Sequence, residues 1–102
     1  MTIKLKNYGI KEFEEKYGVL TFGKLLESHR LAEEVSQKDF AKFLGISASS
    51  LCDLEKGRKI PSLKRAAQIA KKLKVSSKLW IKIALQDYLN KEGLDYIKLT
   101  VA

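Results

Sequence analysis

The stretch SQKDFAKFLGISASSLCDLEKGR, residues 36–58, holds the densest set of structural signals in this 102-residue chain. Ser36 precedes a run with apolar residues at Phe40, Ala41 and Leu44, the stripe of a short helix, and Asp39 stands three positions after the serine as an acidic variant of the capping box. Gly45 falls where a left-handed residue ends a helix, and Ile46 is an apolar plug behind it. Ser47 then caps a second helix over 48–56, with Leu51 and Leu54 facing inward and Gly57 as its stop. The start of this second helix offers only small residues, Ala48, Ser49 and Ser50. The fold turns on how these two helices meet, and the function on what so small a face contacts.

Two helices of about two turns each, joined by Gly45-Ile46-Ser47, make a helix-turn-helix if the glycine permits the sharp bend and Ala41 lets the helices approach. Upstream, Thr21 caps a helix running to about Glu33, with Phe22, Leu25, Leu26 and the stem of Arg30 turned inward. Downstream, Ser62 caps a fourth helix carrying Leu63, Ala66, Ala67, Ile69, Ala70 and Leu73. Ser76 or Ser77 starts a fifth that reaches about Lys91. Its apolar face, with Trp80, Ile83, Ala84 and Tyr88, is broad enough to suggest burial on more than one side, so Trp80 and Tyr88 read as core or as dimer interface. At the ends, Ile3 and Leu5 alternate with lysines, and Ile10, Phe13 and Tyr17 share one side of a two-turn helix stopped at Gly18. In the tail, Ile97, Leu99 and Val101 alternate with Lys98 and Thr100 as in a strand. The expected fold is therefore mainly α: a compact five-helix domain with a short N-terminal extension helix and a C-terminal β-strand. Residues 1–18 form the extension, 19–75 the helix-turn-helix core, and 76–102 a helix and strand for dimerisation.

The apolar fraction of 45% and charged fraction of 31% are those of a globular domain, and the length allows one core. No run approaches a membrane span, and the first residues lack the apolar core of a signal peptide, so no membrane association and a cytoplasmic location are expected. The one cysteine, Cys52, and one histidine, His29, provide neither a disulfide framework nor a metal-ligand set, and no metal or cofactor is expected. No nucleophile elbow, phosphate-binding glycine loop or catalytic constellation is evident, so no catalytic residue is assigned and an enzyme is not expected. The net charge of +8 is unevenly spread. Between Lys56 and Gln86 there are ten basic residues and no acid, leaving ten bases against twelve acids elsewhere. A concentrated basic stretch points to a polyanion, with nucleic acid ahead of anionic lipid.

Ser36-Gln37, Phe40-Ala41, Leu44-Gly45-Ile46-Ser47, Leu51, Leu54-Glu55, Gly57 and Pro61, followed by Ile69-Ala70 and Leu73, resemble the phage repressor and Cro-type family, also called the XRE family. The resemblance covers about residues 22–75. It implies that the helix from Ala48 lies in the DNA major groove while the helix from Gln37 crosses the backbone above it. By position, the resemblance assigns Ser47, Ala48, Ser49 and Asp53 to base edges. It assigns Gln37, Lys56, Arg58 and Lys59 to phosphates, and Arg30 with Glu55 to a structural ion pair between the first and third helices. Family members with strong direct readout place Gln, Asn or Arg at the start of this helix; here a larger share of specificity falls to DNA shape or dimer spacing.

The function expected is that of a DNA-binding transcriptional regulator, a repressor, acting as a homodimer on double-stranded DNA. Trp80, Tyr88, Ile97, Leu99 and Val101 supply the interface. The alternative is the antitoxin of a toxin-antitoxin pair that binds a toxin protein, through residues 1–18, and represses its own operon. RNA binding is disfavoured because the basic stretch lacks interleaved aromatic residues.

Overall fold

Thr21 Oγ1 accepts the Lys24 backbone N–H at 3.1 Å and opens α1, Phe22–Ala32, in the computed structural model of the protein, which describes residues 19–99. The same local device starts every described helix. Ser36 opens α2, Gln37–Leu44; Ser47 opens α3, Ala48–Glu55; Ser62 opens α4, Leu63–Lys72; and Ser76 opens α5, Ser77–Lys91. Each hydroxyl accepts the N–H three residues on, satisfying a helical donor that would otherwise lack a partner and contributing about 1 kcal/mol. Gly45 adopts φ +77° at the end of α2, and the Ile46 N–H reaches back to Ala41 O at 3.0 Å. The left-handed residue turns the chain sharply enough for α3 to cross α2.

Phe22, Leu26 and Leu51 are the largest fully buried side chains, and they tie α1 to α3. α4 packs most extensively on α5, where the small Ala66, Ala70 and Ala84 are all completely buried. Trp80 of α5 is also buried and meets the Phe22 ring edge-on, with centroids 5.6 Å apart. Leu63, at the first turn of α4, stays 40% exposed instead of joining this core.

The expected C-terminal strand is not there: the described residues contain no β-strand. Instead the chain turns after α5, with the Ile97 N–H bonded to Leu94 O at 2.9 Å. Gln86 then holds the tail, donating Nε2–H to Ile97 O at 2.8 Å and accepting the Leu99 N–H on Oε1 at 2.8 Å. Alternation sets which side chains are apolar, but a strand also requires a partner backbone. Here one glutamine amide makes the two bonds a neighbouring strand would supply. The strand and helix expected before Gly18, and Val101, lie outside the described residues.

Asp87 on α5 caps α1 from a distance: its Oδ2 accepts the Phe22 N–H at 2.8 Å, while its Oδ1 is buried without a hydrogen bond. Burial pushes this carboxyl up to about 6, against a smaller lowering by the Phe22 N–H. The folded state therefore holds a proton that the unfolded chain, titrating near the ordinary value of 3.8, has already released. Stability associated with Asp87 is present below pH 4 and lost as pH rises toward 6. An Asp87→Asn variant keeps an acceptor for Phe22 and removes the buried charge. It should gain about 1 kcal/mol over the parent at pH 7, a figure reduced for the side chain's partial solvation, and nothing at pH 4. Urea denaturation at both pH values measures this difference.

Candidate nucleic-acid interface

The turn between α2 and α3 is fixed from within. Ala41, Leu44, Leu51 and Leu54 are buried along the α2–α3 contact, so the opposite side of α3 faces solvent. At its start Ser47, Ala48 and Ser49 are exposed. The Ser47 hydroxyl accepts the Ser50 N–H at 3.0 Å and donates to Ser50 Oγ at 2.9 Å, so its proton is already engaged. What this end of α3 presents outward is the Ala48 methyl and the Ser49 hydroxyl.

A buried polar unit ties α3 to the two helices before it. Glu55, whose side chain is 0% exposed, accepts Arg30 Nε at 2.8 Å and Nη2 at 3.1 Å. Its Oε1 also accepts Gln37 Nε2 at 2.8 Å, and Arg30 Nη1 donates to Val35 O at 2.9 Å. One carboxylate thus joins α1, the start of α2 and the end of α3. The bond from Glu55 raises the Arg30 guanidinium pKa above its ordinary value, partly offset by burial. Gln37, which the resemblance assigns to a phosphate, has its side-chain amide turned inward to Glu55. The groups left to meet an anion at the start of α2 are backbone N–H groups, the positive end of the helix and the exposed Lys38. No local pattern signals this role, since Gln37 and Glu55 are eighteen residues apart.

At the other end of α3, three residues assigned to DNA converge on one another. Arg58 Nε lies 2.8 Å from Asp53 Oδ1, and Lys59 Nζ lies 3.8 Å from Oδ2. The Arg58 hydrogen bond, with lesser help from Lys59, holds the Asp53 carboxyl below the ordinary range. Arg58 also donates to Cys52 Sγ at 3.2 Å, and Cys52 is half-buried. Lys56 caps the C-terminus of α3 and is exposed.

The basic run divides in space. Lys64 and Arg65 follow the loop after α3 into the first turn of α4, whereas Lys71, Lys72 and Lys74 lie at the far end of that helix. Ten helical residues span about 15 Å, which separates the two groups along α4. Of the residues expected at a dimer interface, Trp80 is inside the single-chain core. Tyr88 uses its hydroxyl to bond Pro61 O at 2.9 Å and Ile60 O at 3.2 Å. Ile97 is exposed and Leu99 half-buried, and the exposed apolar set adds Leu63, Leu85 and Tyr96. Leu85 sits at helical spacing from buried residues, and its outward turn depends on how α5 is rotated, which periodicity does not fix.

Comparison with known proteins agrees with this geometry. A family model described as helix-turn-helix matches residues 26–80, more than half of the chain. A Methanocaldococcus jannaschii protein named as an uncharacterised HTH-type transcriptional regulator is 44% identical over 46 residues, 45% of this chain and 70% of that protein. No solved structure gives a significant match. Among the described residues no helix is long and apolar enough to cross a membrane. The family model spans the two capped helices, the tight glycine turn between them and the partly exposed α3, and the chain belongs to the XRE-type helix-turn-helix family of DNA-binding transcriptional regulators.

Proposed function

We propose that this protein is a dimeric transcriptional repressor that inserts the start of α3 into the major groove of a roughly palindromic operator. The observation carrying this reading is the exposed Ser47-Ala48-Ser49 face, at the start of a helix whose last residue is fixed by the buried Arg30–Glu55–Gln37 unit and which is followed by Lys56, Arg58 and Lys59. Short side chains let the helix backbone sit deep, with the Ala48 methyl against a thymine methyl and Ser49 bonding either strand. Phosphates are held by the helix end at Gln37 and by the basic loop after α3. One such unit reads a half-site, so two copies about 34 Å apart on one DNA face complete the recognition. Exposed Leu63, Leu85, Tyr96 and Ile97 support a self-complementary contact between copies.

Fluorescence anisotropy on duplex DNA from the gene's own promoter and on a scrambled duplex, at about 50 and 200 mM salt, tests this. A promoter preference of about a thousandfold that survives the higher salt is expected. Equal binding to both duplexes, lost in salt, would remove the claim of sequence reading. A reporter placed behind the same promoter should fall in activity when the protein is supplied; a rise would make it an activator.

Asp53 offers a sharper test. In this reading it clamps Arg58 and Lys59 and adds a negative charge beside the phosphates. An Asp53→Asn variant should therefore bind DNA about three- to tenfold more tightly at ~50 mM salt, with the salt slope steeper by about one charge. Weaker binding confined to the promoter duplex would instead make Asp53 a base reader, accepting from a cytosine amino group.

A further inference from the structure

A groove of about 430 Å³ opens between the C-terminal ends of α1 and α4 and the outer side of α2, well within the size range of small-ligand sites. Its floor is apolar: Val35, Phe40 and Leu73 form it, and the Phe43 ring, 57% exposed, stands as one wall. Its rim is charged, with Lys72 and Lys74 on the α4 side and Glu33 at the end of α1. None of these residues belongs to the α3 face, and the groove touches the buried ion pair only through Val35, whose carbonyl accepts Arg30 Nη1.

We infer that this groove binds a small monocarboxylate with an aromatic or branched apolar body. The body lies on Phe40, Val35 and Leu73 beside Phe43, and the carboxylate pairs with the ammonium groups of Lys72 and Lys74.

Charge complementarity selects this class. Two rim cations against one rim anion favour a single negative charge, and the apolar floor has few polar atoms to pair with a more hydrophilic molecule. Among the described residues Lys72 makes one long bond, 3.4 Å to Phe43 O, so its ammonium retains donors. His29 also lines the groove, stacked on Phe40 at 6.4 Å. Burial lowers its pKa, against a smaller raising by Glu33, so the cations at the rim are chiefly the two lysines.

The backbone at the rim points the same way. Lys74 takes φ +58° at the end of α4, the left-handed conformation normally left to glycine, and Glu34 takes φ +56° at the end of α1. The Lys74 N–H bonds Lys71 O at 3.2 Å and the Val75 N–H bonds Ala70 O at 3.0 Å, a helix ending that glycine would complete with less strain. Such strain concentrates where a side chain serves a ligand. Keeping lysine there places an ammonium at the groove.

Isothermal titration calorimetry of the full chain tests the site with 3-phenylpropionate, 4-methylpentanoate and 3-methylbutanoate, and with 3-phenylpropanol as the uncharged counterpart. At least one carboxylate should bind one-to-one with a Kd below about 1 mM, and the alcohol at least about tenfold more weakly. A Lys72→Gln/Lys74→Gly double variant should lose binding at least about tenfold while melting no lower than the parent, because glycine suits the backbone at 74. Absence of saturable binding by all three acids, equal binding of the alcohol, or undiminished binding by the folded double variant would overturn the assignment.

Discussion

Replacing Arg30 with alanine is expected to cost about 3–5 kcal/mol of folding stability, among the largest effects of any side-chain truncation in this chain. The loss does not come mainly from the attraction between Arg30 and Glu55. The Glu55 side chain is 0% exposed, and two of its three described hydrogen bonds come from Arg30. Without the guanidinium the carboxylate keeps only Gln37 Nε2, at 2.8 Å, and stays buried with its charge uncompensated. A small domain has about 5–15 kcal/mol in total, so the variant would approach the edge of folding. Guanidinium chloride unfolding gives the number. The paired replacement Arg30→Met with Glu55→Leu separates the two causes: removing both charges together should cost under about 2 kcal/mol, because apolar packing replaces the pair without leaving an orphan. Gln37→Ala, which removes one neutral donor, should cost about 1 kcal/mol. A double variant worse than Arg30→Ala alone would show that the pair itself stabilises the fold. In either case the unit matters to α3, since Glu55 is its last residue and is held by groups from two other helices.

What was legible in the sequence was what is decided locally. A serine or threonine reaches the N–H three residues on whatever the rest of the molecule does, so the starts of the helices at Ser36, Ser47 and Ser62 can be read residue by residue. Gly45 was legible for the same reason, because only the backbone conformation is at issue. The tail was not, because the alternation of Ile97, Leu99 and Val101 carries no information on whether a partner strand exists, and Gln86 took that place. Trp80 sat on a broad apolar face that a second copy or the chain's own core would explain equally well. Its burial against Phe22, at 3% exposure, assigns it to the core. The candidate interface was legible only as a list of positions. That Gln37 turns to Glu55, and that Asp53 binds Arg58, depends on distances across the turn which no spacing rule contains. The groove beside Phe43 was invisible for the same reason: residues from three helices line it.

Gly23→Ala is expected to destabilise the protein by about 3 kcal/mol, against the direction that helix propensity alone predicts. Gly23 is the second residue of α1, where alanine would normally gain about 1 kcal/mol by restricting the unfolded chain and favouring the helix. A methyl group there, however, would collide with the Leu54 carbonyl oxygen and come within 3.0 Å of Glu55 O. Both obstacles are backbone atoms of α3, so no rotamer change relieves them and α1 must move away as a body. That motion would open the contact around Phe22 and Leu26 and stretch the Arg30–Glu55 bonds, so the cost reaches the buried ion pair as well. Thermal and urea unfolding of Gly23→Ala measure the loss, and comparison with Gly23→Ala/Arg30→Ala tests the coupling. If α1 is displaced, the two substitutions are less than additive, since the first has already weakened the bonds the second removes. A stabilised Gly23→Ala would mean that α1 and α3 have room between them, and that the α1 support for the exposed face of α3 is looser than this packing requires.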